Sequence, residues 1–105
     1  MMKVIYKITY PNGKIYIGKD TAGDNLRYFG SPDRDYLEKD FPWEQQQDIM
    51  LRKEMLFFSE DISEPELAKK ETEFIMKFGS NDPCKGYNIL PKFLIECGEL
   101  PGEYG

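Results

Sequence analysis

Histidine is absent from this chain of 105 residues, and cysteine occurs only twice. Without an imidazole there is no histidine-based acid–base or nucleophilic mechanism. Cys84 and Cys97 lack metal-ligand spacing, which argues against a zinc site. No apolar run approaches the roughly 20 residues of a membrane-spanning helix. The start, Met-Met-Lys-Val-Ile, lacks the apolar block and cleavage site of a signal peptide. A single domain with no membrane segment, in a reduced cytoplasmic setting, is therefore expected. A basic excess is missing too: 14 Lys and Arg face 19 Asp and Glu, for a net charge of −5. Free-standing nucleic-acid binders usually show the opposite balance, because phosphate contacts and counterion release supply much of their affinity. If this chain acts on DNA, its cations must gather on one face, or a protein partner or second subunit must supply affinity.

What is present begins with a hairpin. Residues 4–18 read V-I-Y-K-I-T-Y-P-N-G-K-I-Y-I-G, two β-branched and aromatic runs flanking Pro11-Asn12-Gly13. Pro11 presets the first turn position, Asn12 suits the second, and Gly13 supplies a positive φ. That predicts a three-residue loop with a bulge, in which Tyr10 pairs with Lys14, Ile8 with Tyr16 and Tyr6 with Gly18. Tyr6 and Tyr16 then share a face as diagonal neighbours. A two-residue Asn-Gly turn would put them on opposite faces.

Further along, Ser31-Pro32-Asp33 reads as a helix start capped by Ser31, with Tyr36, Leu37 and Phe41 as an apolar stripe ended by Pro42. Trp43 is assigned to the core rather than to base stacking, and residues 43–48 to a short helix or loop. Met55-Leu56-Phe57-Phe58 reads as a buried third strand, with Arg52 and Lys53 either facing substrate or, more economically, on a solvated edge. Ser63-Glu64-Pro65-Glu66 is a capping box opening a helix that runs to Phe78 and stops at Gly79. Leu67, Phe74, Ile75 and Phe78 form its apolar face, and Glu71 falls within that stripe. A carboxylate there is costly unless paired, hydrogen-bonded or bound to a cation. A buried salt bridge and a metal site both answer that requirement. Together these elements describe an α+β domain: a small three-stranded antiparallel sheet flanked by helices.

The hairpin resembles the opening of the GIY-YIG nuclease family. The second motif stands intact as Tyr16-Ile17-Gly18, while the first reads Val4-Ile5-Tyr6 and lacks its glycine. The resemblance spans roughly residues 3 to 90, leaving 91–105 as a C-terminal extension without a functional reading. It implies a GIY-YIG-like fold and a phosphate-facing arginine on the segment after the second motif. Arg27, eleven residues after Tyr16, fits with a one-residue insertion, and Arg34 is the alternative. Lys19 matches a lysine that several relatives carry, and Tyr28-Phe29-Gly30-Ser31-Pro32 is similar to a segment in one branch. The family's metal-binding glutamate precedes an apolar helix position by four residues, as Glu71 precedes Ile75. Gly86-Tyr87-Asn88 resembles a segment whose asparagine supports the site; an ordinary glycine turn is the plain alternative.

What the resemblance implies is metal-dependent DNA cleavage by Tyr6, Tyr16, Arg27 and Glu71, with Gly18, Lys19 and Asn88 in support. Glu71 would hold Mg²⁺ or Mn²⁺, the arginine would steady charge on phosphorus, and one of the tyrosines would take the water's proton. A second class stays open: the same fold kept as an inactive DNA-binding or protein-interaction module. The missing glycine and the acidic charge point that way.

Overall fold

The computed structural model describes residues 2–21, 30 and 32–93. Strand β1 (Lys3–Thr9) and strand β2 (Ile15–Asp20) form the expected antiparallel hairpin. Tyr10 N–H donates to Lys14 O at 2.9 Å and Gly13 N–H to Tyr10 O at 2.9 Å, with Gly13 at φ 86°. Asn12 Oδ1 also accepts from Lys14 N–H at 3.0 Å. This is the three-residue loop, and it sets Ile8 opposite Tyr16 and Tyr6 opposite Gly18.

Helix α1 (Arg34–Asp40) is capped by Asp33, whose side chain accepts from Asp35 and Tyr36 N–H. The cap is thus two residues beyond the expected Ser31, which lies outside the described residues. An aspartate placed beyond Pro32 meets the free N–H groups of the first turn equally well. Helix α2 (Trp43–Gln46) is short, and its Trp43 is 69% exposed rather than in the core. The single turn carries no apolar stripe that would draw the indole inward.

Strand β3 (Arg52–Ser59) pairs antiparallel with β1, giving the order β2-β1-β3. β3 was expected to be buried, yet it is an edge strand with Met55 51% and Phe58 59% exposed. The register slips between Ile5 and Tyr6, so Ile5 faces Phe57 while Tyr6 faces Met55. The slip leaves Leu56 as the extra residue of a bulge, a common feature at sheet edges.

Helix α3 (Glu64–Phe78) follows the sequence expectation closely. Ser63 Oγ accepts from Glu66 N–H at 3.3 Å, and Gly79 closes the helix at φ 70°. Its Leu67 and Ile75 pack with Ile5 and Ile17 on one face of the sheet. Burying such side chains stabilises the fold by about 1.5–3 kcal/mol each. The opposite face carries Val4, Tyr6, Ile8, Tyr10 and Tyr16, covered by Phe41 and Tyr87 with Tyr36 and Leu37 of α1.

The outer edge of β2 is closed by a return segment. Ile15 bridges in parallel to Gly86, Ile15 N–H donating to Lys85 O and Tyr87 N–H to Ile15 O. A Cβ on Gly86 would lie 2.5 Å from the carbonyl oxygens of Ile15 and Ser80, so only glycine permits this approach. No helix among the described residues is long and apolar enough to cross a membrane. Cys84 is disulfide-bonded, whereas the sequence suggested reduced thiols.

Candidate active site

The hairpin register brings Tyr6 and Tyr16 together, with ring centroids 6.4 Å apart and planes tilted by 49°. Two glycines make that pairing possible. A Cβ on Gly18 would come within 2.6 Å of Tyr6 Cζ and 2.9 Å of Tyr16 Cε2. One on Gly30 would come within 2.6 Å of Tyr6 Oη and 2.8 Å of Tyr16 Cζ, and Gly30 also stands at φ 84°. The motif glycine therefore makes room for the rings. Tyr6 is 1% exposed and Tyr16 9%. Lys53 sits on this same face, its Nζ 4.3 Å from the Tyr6 ring centroid. Tyr10, further along β1, has its phenol pushed up to about 12 by burial and by neighbouring Tyr16.

Glu71 approaches from α3, on the other side of the sheet. It meets Tyr16 at the β2 edge, in an open cleft of about 280 Å³ lined also by Ile75, Asn88, Ile89 and Leu90. Burial raises the Glu71 carboxyl above the ordinary carboxylate range, and the field of Lys19 opposes that rise only in part. No ion pair to Glu71 occurs among the described residues. Of the two answers left open for this carboxylate, the salt bridge is absent there.

Asn88 holds the cleft's rim to the sheet. Its Oδ1 accepts from Ile17 N–H at 2.8 Å and its Nδ2 donates to Ile17 O at 2.8 Å. The side-chain amide thus acts as a one-residue extension of the sheet beside Tyr16 and Gly18. A plain glycine turn would have left both groups of Ile17 open. Asn88→Ala removes both bonds and is expected to cost about 1–3 kcal/mol, read as a lower midpoint in urea unfolding.

Arg27 lies outside the described residues. Arg34 is exposed on α1 and lines a separate cleft with Gly30, Asp35, Gln46 and Ile89, not the Tyr16–Glu71 cleft. The expected gathering of cations on the tyrosine face is partial. Lys7 pairs with Glu54 at 3.0 Å on the α3 face and lies 4.8 Å from the Phe78 ring centroid. Lys3 Nζ donates to Ile62 O at 2.6 Å. Lys14 binds Asp40 at 2.6 Å, and Tyr87 donates to the same oxygen at 2.7 Å. Burial alone would raise the Asp40 carboxyl, but the hydrogen bonds from Lys14 and Tyr87 hold it below its usual range.

Comparisons with protein-family models, with curated proteins and with solved structures found no match. Two features of the site escaped the sequence reading. Gly30 was visible as part of a similar segment, but its contact with both rings is not encoded locally. Ile89 and Leu90 follow Asn88 with no pattern that marks them as a cleft wall.

Proposed function

We propose that this chain is a metal-dependent DNA endonuclease of the GIY-YIG type, hydrolysing phosphodiester bonds through Tyr6, Tyr16, Arg27 and Glu71. The observation that carries the reading is Glu71: a half-buried carboxylate without an ion-pair partner among the described residues, in one cleft with Tyr16. Ionised carboxylates are kept in such surroundings at a cost, which a bound cation offsets.

The residues present fit Mg²⁺ or Mn²⁺ held mainly by water. No group of three or more Asp, Glu, Cys or His able to cage a metal occurs among the described residues. A hard ion that keeps several waters needs only one carboxylate in an open cleft. Glu71 would hold it, and when bound it would neutralise charge on the phosphate and leaving oxygens.

The chain's own groups divide the remaining work. Tyr16 lines the cleft and Tyr6 is buried behind it, so Tyr16 is the phenol assigned to take the proton of the attacking water. Tyr6 fixes the ring of Tyr16 against Gly18 and Gly30. The positive field of Lys19 favours the ionised carboxylate of Glu71. Asn88 sets the distance of the rim from the strand that carries Tyr16. Arg27, placed by its spacing after Tyr16, would steady the charge that develops on phosphorus, since a guanidinium grips two oxygens and stays charged.

The deciding assay is nicking of supercoiled plasmid at low salt with Mg²⁺, Mn²⁺ or chelator. Metal-dependent nicking is the expected result, and intact plasmid under all conditions would defeat the reading. The two arginines separate in the same assay. Arg27→Ala is expected to cut about a hundredfold more slowly with little change in DNA affinity, and Arg34→Ala near the parent rate. The reverse pattern would move the phosphate contact to α1.

The inactive interaction module is favoured by a different observation. Lys7 and Lys14 are neutralised by Glu54 and Asp40, in a chain already at −5. A protein partner or second subunit that supplies DNA affinity reconciles that charge with cleavage. A cytoplasmic location belongs to the nuclease reading through access to DNA, and the disulfide at Cys84 weighs against it.

A further inference from the structure

Single exposed aliphatic side chains are ordinary. Ile89 and Leu90 differ in three respects. They are adjacent, 57% and 69% exposed, and both line the Tyr16–Glu71 cleft. The backbone that carries them is also fixed at either end. Asn88 holds both Ile17 groups and donates its N–H to Ser80 O at 3.0 Å, while Asn81 Nδ2 donates to Pro91 O at 2.9 Å. A segment tied down this firmly could have buried its apolar residues. Instead it presents them at the mouth of the cleft, and Ile89 also borders the neighbouring cleft with Arg34 and Gln46.

We propose that Ile89 and Leu90 form a rigid aliphatic ridge that packs against the face of an unstacked nucleobase next to the cleaved phosphate. The inference rests on the nuclease reading. If a phosphate occupies the cleft, its nucleotide must pass the rim, where Ile89 and Leu90 present exposed hydrocarbon. Aliphatic groups do not recognise a phosphate or a base edge, because neither would find a hydrogen-bond partner. They suit the apolar face of a base, as apolar wedges do at kinked base steps. In continuous duplex that face is covered by its neighbours. The ridge therefore selects DNA in which a base beside the scissile phosphate is already unpaired, where the cost of unstacking is least.

The test measures binding of the full chain to two short fluorescent DNAs at low salt in metal-free buffer, a continuous duplex and the same duplex carrying one unpaired base. The parent is expected to prefer the second by about tenfold, since the unpaired base is the cheaper one to unstack. In the double variant Ile89→Ser, Leu90→Ser the ratio should collapse towards one, and Leu90→Met should retain it. Melting temperatures of all variants are recorded to show that they fold. Equal affinity of the parent for both DNAs, or a preference that survives the double variant, overturns the ridge. Plasmid nicking with Mg²⁺ separates the two ways of failing. If plasmid is nicked while the two DNAs bind alike, only the ridge is lost. If neither DNA binds and plasmid stays intact, the nuclease reading falls and the ridge with it.

Discussion

Glu71→Gln is expected to leave plasmid DNA uncut, a loss of about a thousandfold or more, while the protein becomes more stable at neutral pH. Both effects come from one property. Burial raises the carboxyl of Glu71 in the folded chain, so the fold favours its neutral form and tolerates the ionised one at a cost. For a group with a raised folded pKa, the linked stability is fully present below the unfolded value and is lost as pH rises through the folded one. The glutamine variant keeps the neutral shape at every pH. Its melting temperature should therefore exceed the parent's at pH 7, and the gap should close as pH falls through the ordinary carboxylate range. Millimolar Mg²⁺ should raise the parent's melting temperature and leave that of the variant unchanged. Unchanged cleavage by the variant would remove Glu71 from the reaction, and an equal Mg²⁺ response in both proteins would remove it from the metal.

Tyr16→Phe is the second large effect, expected at about a thousandfold in turnover with the fold intact. The substitution deletes one oxygen and keeps the ring that packs on Tyr6, Gly18 and Gly30. A melting curve recorded beside the rate separates any effect on the fold from the loss of the phenol, and DNA binding should persist. Tyr6→Phe should cost less in turnover, because that phenol is 1% exposed and does not line the cleft. The measurement is the rate of metal-dependent nicking for both variants under identical conditions. A larger loss at Tyr6 would exchange the roles of the two phenols. Equal, small losses would leave the proton without an acceptor and favour the interaction module.

Local chemistry determined a good part of this protein. Pro11-Asn12-Gly13 fixed the loop and with it the register, because a side chain's face in a strand follows from parity alone. The same logic put Glu71 in the apolar stripe of α3, whose start at Ser63 and stop at Gly79 follow from hydrogen bonds made within a few residues. Absences were equally legible: a chain without histidine has no imidazole-based chemistry.

Only the tertiary structure decided the rest. β3 looks buried by composition and lies at an edge, since strand order depends on contacts between distant segments. Trp43 is apolar by type but finds no face to cover it. That Gly18 and Gly30 together clear space for two rings, that Asn88 replaces a strand residue for Ile17, and that Lys7 and Lys14 are taken up by Glu54 and Asp40 are all pairings across long stretches of chain. Sequence spacing constrains neighbours within a turn or a hairpin. It says little about which residues meet across a sheet edge, and at the β2 edge that meeting brings Tyr16, Glu71 and the Ile89–Leu90 ridge into one cleft.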